Sequence, residues 1–407
     1  MTGEQDEEPR RTAYDAFTAA HSLGAEGRHE EAVTAYRRAL DLYRGLPDSE
    51  QQQAGCLHDI GVALRATGND EEAVVAYRQA ADLYRCLSGN ERDQADCLYH
   101  VADILDTTGR QEEAASDYRR ALDLYRGLPD CEHNQARCLR NIGVALYAAG
   151  RYENAMTAYR EELDLYRSLP DSEQQQANCL YNIAITLGDM GRHEEAVAAY
   201  RRALDLYRGL PDTEYDQADC LNDIANILRK TEQHEEAVAA YRQALDLYRG
   251  LPDSEQQQAN CLYNIGVALY AAGRYEDAMT ANQQELDLYR GLQDGEQQAN
   301  CLRNTAVILR TMGDDEEAVA AYRKALSLYR GLPDSEQDQA STLFNAGVTL
   351  DEAERYDQAL ASYRQALDLY RGLPDTEQDQ AGCLYNTGNV LHKTERYEEA
   401  LASYGWN

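Results

Sequence analysis

A tyrosine recurs along the whole chain at a nearly constant spacing. The steps are 41 residues, apart from one step of 40 residues that follows Asn282, the one position where asparagine replaces the tyrosine. The marker positions are Tyr36, Tyr77, Tyr118, Tyr159, Tyr200, Tyr241, Asn282, Tyr322, Tyr363 and Tyr404. A fixed period of this size is typical of arrays in which each unit packs only against its neighbours. The period therefore predicts about ten stacked repeats rather than two or three globular domains.

Each repeat contains two predicted helices. In the second repeat, residues 50–66 place apolar or small side chains at the i, i+3, i+4, i+7 spacing of one buried helix face. Residues 70–85 begin with three acidic side chains, which favour the positive end of a helix dipole. No strand alternation is present. The sequence predicts an all-α fold in which antiparallel helix pairs form an α-solenoid.

Turn residues separate the predicted helices. Ser49 followed by Gln52 predicts a capping box at the start of the first helix. After the second helix, Gly45 is predicted to take the left-handed conformation and Pro47 to prevent continuation.

The repeat resembles the tetratricopeptide repeat. The residues that carry the resemblance are Leu57, Ile60, Gly61, Leu64, Gly68, Ala73, Tyr77 and Ala80. Leucine replaces the usual tryptophan, and the period exceeds the usual length of about 34 residues. Long repeats of this kind are similar to those of kinesin light chains and bacterial signalling proteins, and the resemblance covers roughly residues 13–404. It implies a right-handed superhelix whose concave surface is lined by the first helices.

The ends of the chain differ from the repeats between them. Residues 1–12 are acidic and polar and are predicted to be a disordered tail, whereas residues 13–407 are predicted to form a single solenoid with a truncated last repeat. That truncation predicts an incompletely covered apolar face, over which Trp406 could fold. The apolar residues concerned are Leu384, Val390, Leu391 and Leu401. We expect weak end-to-end self-association through this face, or a partner that docks there.

The sequence also contains a duplication that is longer than a single repeat. Residues 141–153 and residues 264–276 are identical, at an offset of 123 residues, which is three repeats. Glu162 and Glu285 both replace the alanine that other repeats have at this position. We interpret the pattern as a duplicated block of three repeats, which would present similar surfaces three repeats apart.

Net charge limits the classes of partner. The chain carries a formal charge of -33, which disfavours nucleic acid and anionic lipid. No stretch of 18 apolar residues and no signal peptide is found in the sequence, so a cytoplasmic location away from membranes is expected.

The ten cysteines follow the repeat rather than a metal-binding pattern. Eight of them occupy one position of the first helix, once per repeat, and neighbouring first helices stand too far apart for a disulfide or a zinc site. We expect these thiols to be reduced and buried. Cys86 and Cys131 lie outside the register near loops and are predicted to be the more reactive thiols.

No set of residues predicts catalysis. The sequence has no phosphate-binding glycine loop, no Gly-x-Ser-x-Gly and no His-Glu-x-x-His motif. His-Glu-Glu at residues 29–31, 193–195 and 234–236 falls at the solvated start of second helices, where acidic charge is favourable. We therefore expect neither an enzyme nor a bound metal or other cofactor.

The polar side of the first helix carries the candidate site. At 100° per residue, an apolar stripe runs through the centre of this side. The stripe positions are Val62, Asp103, Val144, Ile185, Asn226, Val267, Val307, Val348 and Asn389. In similar repeats these positions form the floor of the peptide groove. The alternative is that flanking side chains cover the valines.

An asparagine row runs beside the stripe. Its members are Asn141, Asn182, Asn264, Asn304, Asn345 and Asn386. A carboxamide donates and accepts together, so the row is suited to holding a peptide backbone, although a polar consensus position without a ligand is also open. Aromatic and arginine side chains flank the row and are of the types that supply binding energy at interfaces. They are Tyr99, Arg140, Tyr181, Tyr263, Arg303, Phe344 and Tyr385.

The charge of this face is balanced. Its polar positions in repeats 2 to 10 hold eight cations and nine anions, whereas the whole chain carries -33. We expect Arg140 and Arg303 to favour acidic groups on a ligand. The sequence thus predicts a non-enzymatic scaffold that binds an extended peptide or a partner protein in its concave groove. The alternatives are a self-assembling structural solenoid and the sensor portion of a larger signalling ATPase.

Overall fold

The computed structural model describes residues 4–405, with side chains from Glu8 onward. Over these residues it contains twenty α-helices and no strand, which confirms the predicted all-α solenoid class. The chain forms two compact units, residues 1–210 and residues 211–407, and each contains ten helices.

In the first unit, consecutive helices pack against one another in chain order. The helices are Glu4–Ala25 (α1), His29–Arg44 (α2), Glu50–Ala66 (α3), Asp70–Arg85 (α4), Glu91–Thr107 (α5), Gln111–Arg126 (α6), Glu132–Ala148 (α7), Tyr152–Arg167 (α8), Glu173–Asp189 (α9) and His193–Tyr207 (α10). Odd-numbered helices are the first helices of their repeats, and even-numbered helices are the second.

The second unit continues the same alternation. Its helices are Glu214–Lys230 (α11), His234–Arg249 (α12), Glu255–Ala271 (α13), Tyr275–Gly291 (α14), Gly295–Met312 (α15), Asp315–Tyr329 (α16), Glu336–Glu352 (α17), Tyr356–Tyr370 (α18), Glu377–Lys393 (α19) and Tyr397–Ser403 (α20).

The marker tyrosine forms the central contact inside a repeat. Tyr77 of α4 is 1% exposed, and its ring lies so close to Gly61 of α3 that an added Cβ would stand 2.8 Å from the ring carbons. Gly143, Gly347 and Gly388 meet the tyrosines of their own repeats in the same way. Contacts this short leave no room for a methyl group, which explains glycine at this helical position.

The loop after each second helix differs from the prediction for Gly45. Gly45 has φ −79°, and the left-handed residue is Asp48, with φ 51°. Backbone bonds from Gly45 N to Leu42 O and from Leu46 N to Tyr43 O continue the helical turn, so the chain reverses only after Pro47. A short polar side chain such as aspartate tolerates the left-handed region better than most residues.

The predicted capping box at Ser49 is also wrong. The Ser49 hydroxyl is buried and lies 2.5 Å from Tyr43 O and 2.9 Å from Leu46 O as a donor; it accepts from the Gln53 side chain but not from a backbone N–H of α3. Tyr43 O also accepts from Leu46 N, so the buried hydroxyl adds a second bond to a carbonyl at the end of α2 and supplies a partner to Leu46 O in the loop.

At the N-terminus, α1 begins at Glu4, within the segment of residues 1–12 that is expected from its sequence to be disordered. Arg10 Nη2 donates to Pro47 O at 2.8 Å, and Ala13 is fully buried. These contacts hold the segment against the first repeat. Residues 1–3 lie outside the described residues.

At the last repeat, the predicted uncovered face is smaller than expected. Val390 and Leu391 are 0% and 1% exposed because they pack in a cluster that includes Ala400 of α20. Leu384 is half-buried, and Leu401 is 55% exposed. Trp406 lies outside the described residues.

The in-register cysteines are buried, as predicted. Burial raises the pKa of Cys56, Cys97 and Cys138 to about 12 in each case. Cys86 is exposed, but the prediction of an accessible Cys131 is wrong. Cys131 occupies the position at which most other loops have a buried serine or threonine, and Arg92 Nη2 lies 3.0 Å from its sulfur.

We predict that one thiol reacts rapidly with a water-soluble thiol reagent under native conditions. Cys86 is the exposed cysteine, and a buried thiol with a raised pKa is a poor nucleophile. Mass spectrometry of the labelled peptides would follow the reaction, with Cys86→Ser and Cys131→Ser as a matched pair. Cys86→Ser should remove the rapid phase. Rapid labelling of Cys131 would contradict the structure.

Candidate functional site

The first-helix face is the side of the odd-numbered helices that carries the stripe and the asparagine row. Val62 and Val144 are 47% and 42% exposed, so these stripe residues lie at the surface. Ile185, Val267 and Val307 are half-buried. Flanking side chains therefore cover part of the stripe, and the remainder is open to a ligand.

Tyrosine hydroxyls connect the core to this face. Tyr241 Oη donates to Asn226 Oδ1 at 2.6 Å, and Tyr404 Oη donates to Asn389 Oδ1 at 2.7 Å. The acceptors occupy stripe positions, so the marker tyrosine spans the repeat from its core to the first-helix face. In these two repeats the tyrosine ring packs in the core while its hydroxyl keeps a hydrogen bond, so the apolar and the polar part of the side chain each have a partner.

The asparagine row lies at the surface of both units. Asn141 Nδ2 donates to Tyr99 Oη of the preceding repeat at 2.8 Å, and Asn182 is half-buried. Within the described part of the second unit, the other members are half-buried and show no side-chain hydrogen bond. They are Asn264, Asn304, Asn345 and Asn386. Their carboxamides are therefore available to an incoming backbone.

The aromatic residues beside the row differ in their partners. Tyr181 packs against Tyr200 with ring centroids 5.3 Å apart, and Phe344 packs against Tyr363 at 5.6 Å. Tyr263 is 44% exposed, and asparagine replaces the marker tyrosine of its repeat at residue 282. Tyr263 is more exposed than Tyr181 or Phe344, whereas Tyr385, which packs against Tyr404 with ring centroids 6.2 Å apart, is 61% exposed.

The charges of the face pair with one another. Arg65 contacts Asp103, and Lys393 Nζ lies 2.8 Å from Asp351 Oδ1. Both pairs join neighbouring repeats. This pairing explains why the face is nearly neutral on an acidic chain.

The two arginines singled out in the sequence also have internal partners. Arg140 Nε donates to Glu162 Oε1 at 2.9 Å. Arg303 donates to Asp338 Oδ1 at 2.9 Å and to Asn300 Oδ1 at 3.0 Å. An acidic ligand group would therefore compete with existing carboxylates at either position.

Two buried glutamates are the residues whose importance sequence reasoning missed. Glu162 and Glu285 are 0% and 4% exposed, at positions where the alanines of other repeats are fully buried. Burial raises the pKa of Glu162, and the Arg140 charge opposes that rise. Burial raises the pKa of Glu285 to about 7, and the Cys301 thiol is the one group that lowers it. The replacement of alanine was visible in the sequence, but the missing cation was not.

Clefts on the opposite side of the repeats are a second surface. One of about 500 Å³ lies between α2 and α4, and one of about 280 Å³ lies between α12 and α14. The floor of the first is formed by Leu57, Ile60 and Leu64, which are 6%, 4% and 5% exposed. Val75, which is 55% exposed, also lines the first cleft, so the asparagine row rather than apolar surface makes the first-helix face the better candidate.

Metal and membrane sites receive no support from the part of the chain that the structure describes. No group of three His, Cys, Asp or Glu side chains there is arranged to hold a metal ion. Among residues 4–405, no helix combines the length and apolar character needed to cross a bilayer.

We predict that Glu285 makes stability fall as pH rises. Its pKa is about 7 in the folded chain and 4.5 in its ordinary environment, so the folded state binds more protons between these values. The penalty is complete above pH 7 and is on the order of 3 kcal/mol. Glu285→Gln should therefore stabilise the protein more at pH 8 than at pH 5 in urea unfolding.

Glu162→Gln is the matched control. It leaves Arg140 without its buried partner, so it should give no stabilisation at pH 8. An equal effect of Glu285→Gln at both pH values would show that this carboxyl does not titrate with a raised pKa.

Comparisons with known proteins agree with the geometry. The family profile described as tetratricopeptide repeat matches residues 13–86 and then overlapping segments to 338–405. The apo form of RapI is similar in structure, with a TM-score of 0.56 and 15% identity over 76% of this chain and 86% of that chain. No curated protein matches the sequence.

Two further solved structures resemble parts of the chain. BtubC from P. vanneervenii gives a TM-score of 0.46 and 18% identity over 55% of this chain and 92% of its own. MamA gives a TM-score of 0.38 and 18% identity over 48% of this chain and 92% of its own. The repeat fold is typical of protein–protein interaction scaffolds and is generally non-catalytic. On its repeats and on the matched profile, the chain belongs to the tetratricopeptide repeat family.

Proposed function

We propose that this protein is a non-enzymatic scaffold that binds an extended peptide segment of a partner protein along the first-helix face, in the cytoplasm. The observation that carries the proposal is the row of half-buried asparagines without internal side-chain partners in repeats 7 to 10. Carboxamides at regular intervals hold a peptide backbone through paired donor and acceptor contacts, whatever the side chains of the peptide.

Apolar and aromatic residues supply the remaining contacts. Val144, Ile185, Val267 and Val307 would take apolar side chains of the ligand, while Tyr181 and Tyr263 would flank the backbone. Asn141 and Asn182 form the corresponding row within the first unit, and Asn386 belongs to the row of the second unit. Burial of apolar area on this stripe supplies affinity, and the asparagines fix the direction of the backbone.

Arg140 and Arg303 complete the proposed site, because acidic side chains of the ligand can accept hydrogen bonds from them. Each arginine already donates to a carboxylate of the chain. The binding free energy gained from a ligand carboxylate is therefore only the difference between the new contact and the existing one. Their contribution is therefore expected to tune selectivity more than affinity.

We predict that Asn264→Ala, Asn304→Ala and Asn345→Ala together abolish peptide binding without unfolding the protein. The probe is a displayed library of random twelve-residue peptides, selected on the wild-type protein and then measured individually by calorimetry. Loss of three hydrogen-bonding side chains should weaken binding by about 100-fold. The melting temperature should barely change, because these side chains are half-exposed.

A triple variant on the second helices is the matched control. Gln79→Ala, Gln243→Ala and Gln365→Ala remove three exposed carboxamides from α4, α12 and α18. This variant should bind the selected peptides like the wild type. Equal affinity of the asparagine variant, or failure of the library to yield any binder, would refute the proposed function.

We also propose weak self-association through the last repeat. Leu401 is 55% exposed, whereas Leu360 and Val319, at the same position of the two preceding repeats, are each 3% exposed. A second copy of this chain that covers Leu401 would bury the same kind of surface as the next repeat does elsewhere.

Light scattering over a concentration series measures this association. The mean mass should rise with concentration in the wild type, and Leu401→Glu should suppress the rise, because a charge at the contact costs desolvation. A mass that stays monomeric in both proteins would exclude self-association through this repeat.

A further inference from the structure

Repeat 7 breaks the repeat pattern at two buried positions. Asn282 replaces the marker tyrosine and is 3% exposed, and Glu285 replaces alanine and is 4% exposed. Asn282 Nδ2 and Glu285 Oε2 have no hydrogen-bond partner, and Oε2 of the equivalent Glu162 in repeat 4 has none either, so the two repeats differ in the ion pair and in Asn282. Because the two residues are three apart on α14, they lie on the same face of the helix. An unpartnered polar group in the interior costs stability, which calls for a compensating role.

The duplicated block provides an internal reference for this site. Repeat 4 has the same glutamate at residue 162, fully buried, and there Arg140 donates to it from the first helix. Arg140 is partly exposed on the first-helix face, so a guanidinium at that surface reaches the buried carboxylate. In repeat 7 the position of Arg140 is occupied by Tyr263, so the carboxylate is retained without its cation.

No other side chain replaces the missing cation. Apart from burial, the group that acts on the Glu285 carboxyl is the Cys301 thiol of α15, and the Glu285 charge in turn raises the pKa of Tyr289 on α14. No arginine, lysine or histidine of the described residues shifts the pKa of Glu285. The ring of a marker tyrosine, which fills the space beside the glycine in other repeats, is also absent here, and Gly266 meets only the Asn282 side chain and neighbouring atoms of α14.

Tyr263 occupies the position from which Arg140 reaches Glu162 in repeat 4, and its ring offers a surface for a guanidinium. In repeat 3 the equivalent residue is Tyr99, and the guanidinium carbon of Arg137 lies 4.1 Å from the centre of its ring. The residue of repeat 8 that corresponds to Arg137 is Asn300, so Tyr263 lacks the equivalent cation. Its ring is 44% exposed on the first-helix face.

We propose that repeat 7 contains a pocket for an arginine side chain of the bound peptide, whose guanidinium stacks on Tyr263 and donates to the Glu285 carboxylate. This pocket rests on the proposed function, since it assigns one side chain of the ligand in the same groove. In repeat 4 the equivalent carboxylate already accepts from Arg140, so no ligand cation is called for there. The proposed pocket therefore selects peptides that have an arginine at one defined position along the first-helix face.

Arginine fits this pocket better than lysine. The planar guanidinium stacks on an aromatic ring and donates through a rigid fork, and it is more weakly hydrated than an ammonium group. A buried carboxylate without a partner is costly, so a ligand that pairs with it recovers part of that cost on binding.

The test uses peptides selected from the random library on the wild-type protein at pH 8, where Glu285 is ionised. The selected peptides should share an arginine at a fixed distance from their other common residues. Replacement of this arginine by citrulline, which is neutral and of the same shape, should weaken binding by about 30-fold or more. Against Glu285→Gln, the arginine and citrulline peptides should bind within about threefold of each other.

The outcomes separate the two proposals. Selected peptides that bind without a shared arginine, or an arginine preference that persists in Glu285→Gln, would overturn the pocket and leave the peptide-binding function intact. Failure to select any peptide would refute the peptide-binding function, and the next experiment would then decide whether the pocket accepts a guanidinium.

A variant that supplies the guanidinium within the chain provides that second measurement. Tyr263→Arg copies the arrangement of repeat 4 and should raise the midpoint of urea unfolding at pH 8. The gain should disappear when Glu285→Gln is added, and Tyr263→Gln should show no gain. Tyr263→Arg should also abolish the arginine preference of the selected peptides. No gain in stability from Tyr263→Arg would exclude a pocket that accepts a guanidinium.

Discussion

The contact between the marker tyrosine of the second helix and a small residue of the first helix determines how each repeat is built. Tyr77 is buried against Gly61 at a distance that excludes a methyl group, so the two helices meet at closest approach there. The hydroxyl end of the marker tyrosine extends to the first-helix face, where Tyr241 and Tyr404 donate to stripe residues. One side chain thus sets the helix spacing and fixes the position of a group on the first-helix face.

Where this contact is lost, the surface changes with it. Asn282 is too short to reach the first-helix face, and Tyr263 beside it is more exposed than the stacked Tyr181 and Phe344. The buried Glu285 in the same repeat has no cation, whereas its counterpart Glu162 has Arg140. The two copies of the duplicated block therefore have different chemistry on the same backbone. Regular repeats supply a common backbone, and the departures from regularity change the side-chain chemistry on it.

The helices and the core could be predicted from the sequence because both depend on periodicity. The 41-residue spacing and the i, i+4 pattern identify the buried face without knowledge of neighbours. The loops could not be predicted in the same way. The left-handed residue is Asp48 rather than Gly45, and the Ser49 hydroxyl satisfies loop carbonyls rather than the start of α3. These outcomes depend on which backbone groups lack partners after the loop has closed, and local propensity does not contain that information.

The pairing of side chains on the first-helix face could not be predicted from the sequence either. The sequence placed Arg140 and Arg303 on this face, but their partners Glu162 and Asp338 come from other helices. A crystal structure of the protein with a selected peptide would test the assignment of the face most directly. We predict that the peptide lies along the first helices of the second unit, with its backbone bonded to Asn264, Asn304 and Asn345. A peptide seated in the clefts between second helices, over Leu262 and Ile265, would contradict the first-helix face as the binding surface.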